Sequence, residues 1–355
     1  MVLRAPRVLL ALAGLAVLSA TPRPARADYA VDYAPPPKPP EDDFWREVVE
    51  PHGDQIRVVL EKVDQIWNQV VSWQNYDAGD PTGELRQRVL DDAWGMLKYA
   101  RRLDPTRRDV LERMGRIGEE SGRTQAAIEA LQAYVALLPP EEDPPAEISL
   151  RLGRSMLRAG RAEDAMRHLR AAASPAGIGA QALAALGEAL MQTGRTADAI
   201  DALSPNLGQQ YSYYWQNETV QLAFTLAVAY DRDEQITAAF GVLEDMRNQL
   251  ATEYANRIQQ SLAALPLVPA RDREYFLALF YESEGYLQEA RTEWLHYAEG
   301  GDGAPFRGRA LDHVAAIDQL LAERLEAAAK PKPAGAAGAT TGTPSGYPPY
   351  PQPYP

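Results

Sequence analysis

The sequence predicts an all-α fold, a solenoid of stacked helical hairpins set between disordered, proline-rich ends. Three observations predict it. A short phrase recurs at Met114-Gly115, Leu152-Gly153 and Leu186-Gly187, with a second glycine seven residues on (Gly122, Gly160, Gly194) and an alanine five beyond that (Ala127, Ala165, Ala199). A unit of that length is one helical hairpin, too small to bury its own apolar face, so copies stack into a shared core. Between the two ends apolar residues recur at three- and four-residue steps, and no alternating strand pattern of any length appears.

At the N-terminus Arg4 and Arg7, the apolar run Val8 to Ala20 and the small-residue stretch Ala25-Arg26-Ala27 have the order of a secretory signal peptide, residues 1–27, with cleavage after Ala27. The apolar run is too short to span a bilayer. Removal of Arg4, Arg7, Arg23 and Arg26 leaves 32 Lys and Arg against 49 Asp and Glu, a net charge of −17 where the whole chain carries −13. So acidic a surface repels phosphate backbones and anionic lipids, which argues against nucleic acid and membrane surfaces and favours a cationic partner. The chain has no cysteine, so the exported product is held by its core alone.

Residues 28–43 hold Pro35, Pro36, Pro37, Pro39 and Pro40 and read as an extended spacer. Residues 44–104 supply two helices. Ile56, Val59, Leu60, Val63, Ile66, Trp67, Val70 and Trp73 share one face of a long helix ending near Gln74, and a second runs from about Glu84 to Leu103, stopped by Asp104-Pro105.

Residues 105–205 carry the three clear copies. Leu111, Met114, Gly115, Ala127, Leu131 and Pro139 belong to the first, Leu152, Gly153, Met156, Ala165 and Leu169 to the second, and Leu183, Leu186, Gly187, Leu190, Ala199 and Leu203 to the third. This pattern resembles the tetratricopeptide repeat, W-x2-L-G-x2-Y then A-x3-F then P, and the 34 residues from Gly153 to Gly187 are that family's period. Gly118 stands where the family has Tyr and Ser149 where it has Trp. The 38 residues from Gly115 to Gly153 place an insertion in the loop Pro139 to Pro145, where added length costs least.

Weaker copies fill residues 206–330: Leu226, Ala227, Tyr230, Ala239 and Leu243, then Leu277, Ala278, Tyr281, Gly285, Ala290 and Trp294. A helix from about Pro305 to Leu325 caps the array, since a terminal unit has one side facing water. Residues 331–355 form an Ala/Gly/Pro/Tyr tail of low complexity, read as disordered, with an extended tyrosine-bearing ligand as the sharper alternative.

No catalytic constellation emerges. His52, His168, His296 and His313 stand apart in sequence without metal-ligand spacing, and serine-elbow and phosphate-loop motifs are absent. Asp231-x-Asp233 lacks the glycine and closing Glu of a calcium loop. Gly300-Gly301-Asp302-Gly303 reads as a loop joining two helices. No metal, cofactor or catalytic residue is expected.

The resemblance implies instead that the first helix of each hairpin lines a concave face that holds a partner protein or peptide. On that helix Arg151, Arg154 and Arg158 recur at helical spacing, and Arg116 holds in the first copy the place of Arg154 in the second. Together they predict a basic strip able to grip a carboxylate through paired hydrogen bonds. The plain alternative is a solvated face neutralised by Glu112, Glu119, Glu120, Glu147 and Glu188. The asparagine and lysine pattern of chaperone-tail clamps is not recognisable. Tyr211, Tyr213, Tyr214 and Trp215 form a second candidate surface, with a packed seam between two halves of the solenoid as its alternative.

These features point to a non-enzymatic exported scaffold or adaptor mediating protein–protein contact in the cell envelope, periplasmic or alternatively secreted. The rivals are a structural component of a large envelope or secretion assembly, and the accessory array of a glycan- or peptide-acting enzyme.

Overall fold

The computed structural model describes residues 50–76, 83–173, 178–209, 217–250, 258, 271–301 and 304–329. Residues 1–27, read from the sequence as a signal peptide, the proline-rich segment 28–43, the aromatic run Tyr211 to Trp215 and the tail 331–355 lie outside the described residues. The chain divides into two compact units, Met1–Gly53 and Asp54–Pro355. The repeats belong to the second.

Among the described residues the regular structure is helical. Helices α1 (Gly53–Tyr76) and α2 (Glu84–Leu103) precede five hairpins. These are α3 (Arg108–Glu120) with α4 (Thr124–Ala136), α5 (Ala146–Arg158) with α6 (Ala162–Ala172), and α7 (Gly179–Gln192) with α8 (Thr196–Gln209). Next come α9 (Asn217–Arg232) with α10 (Ile236–Leu250) and α11 (Asp272–Ser283) with α12 (Leu287–Ala298), followed by a closing helix α13 (Arg307–Ala329). No helix among the described residues is long and apolar enough to cross a membrane.

Each hairpin turns in the same way. The first helix ends when the amide of the residue beyond the turn bonds back to an earlier carbonyl: Arg123 to Gly118, Arg161 to Met156, Arg195 to Leu190, Gln235 to Tyr230 and Tyr286 to Tyr281, all at 2.8–2.9 Å. This closure needs one left-handed residue, which Gly122, Gly160, Gly194 and Gly285 supply at φ between 73° and 78°. In the fourth hairpin Glu234 takes that role at φ 61°, an unfavourable conformation for a residue with a Cβ. The fourth and fifth hairpins thus close with the same turn on a less recognisable sequence.

The first glycine of each clear copy is a contact point. A Cβ on Gly153 would stand 2.6 Å from the Leu169 side chain, and one on Gly187 2.7 Å from Leu203. Both leucines are fully buried, so there the second helix leans on the bare backbone of the first. The apolar stripes merge into two core clusters. One runs from α1 to α4 through Val63, Leu90, Leu97, Leu111 and Ile117, and the other from α4 to α13. Tyr134 of α4 packs against both.

Candidate functional site

The first helices of successive hairpins, α3, α5, α7, α9 and α11, lie side by side, and a row of charges runs across them. At its start Asp64 of α1 accepts from Arg113 Nε at 2.9 Å and Nη2 at 2.6 Å, and from Arg116 Nη2 at 2.8 Å. The Arg116 guanidinium also lies 4.7 Å from the centre of the Trp67 ring. Burial lowers its pKa, against the pull of Asp64.

The next three arginines converge on one acid. Arg151 Nη1 donates to Glu119 Oε2 at 3.2 Å, Arg158 Nη1 donates to Oε1 at 3.1 Å, and Arg154 Nε stands 3.4 Å from Oε1 without a hydrogen bond. The Glu119 side chain is 3% exposed, and the three arginine side chains 18–27%. The carboxylate therefore sits beneath a partly open layer of cations. Arg151 has a second partner in exposed Glu147 at 2.6 Å. Burial lowers the pKa of Arg158, opposed by Glu119.

Glu188 of α7 continues the row. It follows Gly187 as Arg154 follows Gly153 and Arg116 follows Gly115, so the same helix register presents all three. Its residue exposure is 5% and its Oε2 has no hydrogen-bond partner. Burial, reinforced by Asp272, pushes its pKa up to about 8, although Arg154, Arg232 and Arg158 pull it down. Its environment thus favours the uncharged form. Beyond it, Arg232 of α9 pairs with Asp272 of α11 at 2.9 Å, nearly buried, its guanidinium against the rings of Tyr275 and Phe306 at 4.6 and 4.2 Å.

The structure thus brings Arg151, Arg154 and Arg158 together around Glu119. Arg116 is tied to Asp64, though near enough to Arg151 for their charges to repel. Tyr211, Tyr213, Tyr214 and Trp215 lie outside the described residues. Of the acids that the sequence offers as neutralising partners, Glu119 and Glu147 pair with these arginines, and burial biases Glu188 toward its uncharged form. Asp64 carries no such sign in the sequence, because its arginines lie 49 and 52 residues away.

A second polar cluster lies in the core near the end of the array. Asp231, fully buried, accepts from the Tyr275 hydroxyl at 2.6 Å and Arg309 Nη2 at 2.7 Å, and His313 Nε2 lies 2.9 Å from it. His313 Nδ1 faces Glu282 Oε2 at 2.8 Å, and the Trp294 indole donates to that same oxygen at 2.8 Å. The imidazole stacks on Trp294 with centroids 4.3 Å apart. With a carboxylate at each nitrogen the ring holds both protons. Burial opposes its charge, but Asp231 and Glu282 prevail and raise its pKa to about 9. Burial likewise opposes the charge of Asp231, and His313, Arg309 and Tyr275 outweigh it and hold that carboxyl below its usual range.

His313 is therefore not an isolated histidine but one half of a buried bridge between α9, α11, α12 and α13. Asp231, which the sequence does not support as a calcium ligand, is its acceptor. His313 and Asp231 are buried, at 4% and 0% exposure, and the charges of the cluster cancel in pairs, so it ties the closing helix to the array. Among the described residues no group of His, Asp or Glu is arranged to hold a metal ion.

No protein-family model matches the chain, and no curated protein matches it. Solved structures do. The MamA protein is 17% identical, over 57% of this chain and 94% of that one, with a TM-score of 0.42. PilW, described as a widely conserved type IV pilus biogenesis factor, is 14% identical over 70% and 97%, with a TM-score of 0.43. PilF of Pseudomonas aeruginosa is 13% identical over 74% and 98%, with a TM-score of 0.41. The repeat character of this array rests on its own features: the 34-residue period, the recurring turn and the packing glycines.

Proposed function

We propose that this tetratricopeptide-repeat solenoid is a non-enzymatic adaptor of the cell envelope, delivered there by its N-terminal leader, and that it holds a partner protein against the row of first helices. The observation that carries the reading is the imbalance around Glu119. Arg151, also paired with Glu147, and Arg154 and Arg158 all draw on one buried carboxylate, and Arg154 Nε approaches it at 3.4 Å without a hydrogen bond. Such a layer, a fifth to a quarter open to solvent, gives a docking segment charged donors in fixed positions at little ordering cost.

The two electrostatic signals act at different ranges. The net negative chain draws in a partner with basic surface, an effect screened beyond about 8 Å at physiological salt. Within that distance the arginine layer selects where an acidic group of the partner settles. Crosslinking in the native host followed by mass spectrometry tests the reading. The partner recovered with the wild-type chain is expected to be lost when Arg154→Glu and Arg158→Glu are combined, and its undiminished recovery refutes the assignment of this face. Turnover in a glycan- or peptide-hydrolysis screen, abolished by one point substitution, refutes the non-enzymatic part.

A further inference from the structure

We propose that Arg116 of α3 and Arg154 of α5 form a paired site for two side-chain carboxylates of the partner, carried on one face of an acidic segment and set about 9 Å apart. The site rests on the reading that the row of first helices holds a partner polypeptide, and gives that contact its chemistry and spacing.

The open donors of the arginine layer pick out these two positions. Arg154 faces Glu119 through Nε, and that nitrogen is its one buried atom without a hydrogen bond. Its two terminal nitrogens reach solvent and bond to no described residue, which leaves the end of the guanidinium open as a two-donor fork. Arg116 spends Nη2 on Asp64 at 2.8 Å and rests against the Trp67 ring, while its Nη1 bonds to no described residue and is not buried. Their neighbours are more fully occupied. Arg113 gives Nε and Nη2 to Asp64 and Nη1 to the Asp109 carbonyl, and Arg151 gives one terminal nitrogen to Glu119 and the other to Glu147. Arg158, bound to Glu119 through Nη1, stands four residues from Arg154 on α5 and adds positive charge beside it.

The repeat sets the spacing. Arg116 and Arg154 each follow the packing glycine of their copy, so they hold equivalent places on neighbouring first helices, and the axes of packed helices lie roughly 8–10 Å apart. Glu119 ties the two places together. It stands three residues beyond Arg116, on the same face of α3, and Arg151, Arg154 and Arg158 of α5 reach it at 3.1–3.4 Å. The series stops at the third equivalent place, which is Glu188 at 5% exposure. Two cations in register, followed by a buried acid, specify two carboxylates and not a longer run. A single carboxylate meets one of the two positions, and an amide neutralises neither. Two carboxylates on one frame meet both, the second at little further ordering cost.

The test uses the chain from Asp28 onward and dye-labelled, terminally blocked polyproline rulers followed by fluorescence anisotropy. In a polyproline helix residues three apart lie on one side, about 9 Å from each other, and residues six apart about 19 Å. The ruler with Asp three apart is expected to bind at least about tenfold more tightly than the ruler with Asp six apart, or than one with a single Asp. The two double-Asp rulers carry equal charge, so the difference between them reports spacing and not attraction by net charge. Arg116→Gln and Arg154→Gln are each expected to abolish that difference, and Arg161→Gln, the same change of charge in the turn after α5, to leave it intact. Circular dichroism establishes folding. Arg154→Gln removes no hydrogen bond of the fold and carries the test should Arg116→Gln fail to fold.

Equal binding of the two double-Asp rulers, failure of all three to bind at millimolar concentration, or a difference that survives Arg154→Gln overturns the proposal. If partner crosslinking in the native host still depends on Arg154 and Arg158, the adaptor reading stands without the paired site. If crosslinking is insensitive to them as well, both fall.

Discussion

Replacing His313 by Gln removes the one cation shared by Asp231 and Glu282, and the protonation of the ring sets the cost. In the folded chain its pKa stands near 9, against 6.5 for the free side chain. That gap corresponds to about 3 kcal/mol of stability. Which state holds the proton decides the sign. Below pH 6.5 both folded and unfolded chains carry it and the full contribution is present. Between 6.5 and about 9 only the folded chain does, and stability falls as pH rises until the folded ring also deprotonates. Urea unfolding of wild type and His313→Gln, measured at intervals from about pH 6 to pH 10, is therefore expected to give curves that converge by about 3 kcal/mol across this window. Other titrations, that of Glu188 included, are common to both proteins and cancel in the difference. Curves that stay parallel would refute the charged bridge, whatever the absolute stability of the variant.

Glu188→Gln bears on the pH dependence from the other side. The folded pKa near 8 lies above the ordinary 4.5, so the wild-type fold is penalised progressively from pH 4.5 to 8, and the variant is expected to gain roughly 2–5 kcal/mol relative to it by pH 8.5 in the same assay; no gain refutes the buried neutral acid. Glu234→Gly relieves a left-handed residue at the fourth turn and is expected to raise stability by about 1 kcal/mol, read as a higher melting temperature. Gly153→Ala drives a methyl group into Leu169 and is expected to cost about 1–3 kcal/mol; a melting curve unchanged from wild type contradicts the close approach of α5 and α6.

The hairpins are legible in the sequence because their determinants are local. A glycine at the turn, a glycine or alanine where helices touch and apolar residues at helical spacing act within one repeat, and the helices α1, α2 and α13 match the expected spans to within about four residues at either end. Even the weak repeats obey this logic: Glu234 occupies a glycine's place and forms the same turn. The register also carries one polar rule. Glu119, Asp231 and Glu282 each stand four residues after the packing Gly or Ala, in the last turn of a first helix. There a carboxylate opposes the helix dipole and needs a cation nearby.

Which cation answers is not legible. Glu119 takes its arginines from 32 to 39 residues away, and Asp231 takes Tyr275, Arg309 and His313 from 44, 78 and 82 away. Nothing in the spacing of four scattered histidines marks His313 as the buried one. The arginine strip is visible as a row, but its degree of neutralisation depends on a carboxylate beneath it from the preceding hairpin.

The sequence by itself determined the repeat, the turns and the closeness of paired helices, because those are contacts between residues near in the chain with little choice of geometry. Only the tertiary structure decided which charges are spent and which stay open. Stacking brings distant repeats into contact and excludes water from some acids but not others, and it is that exclusion which makes His313 a cation, Glu188 an acid biased toward its neutral form and Arg154 an incompletely matched cation.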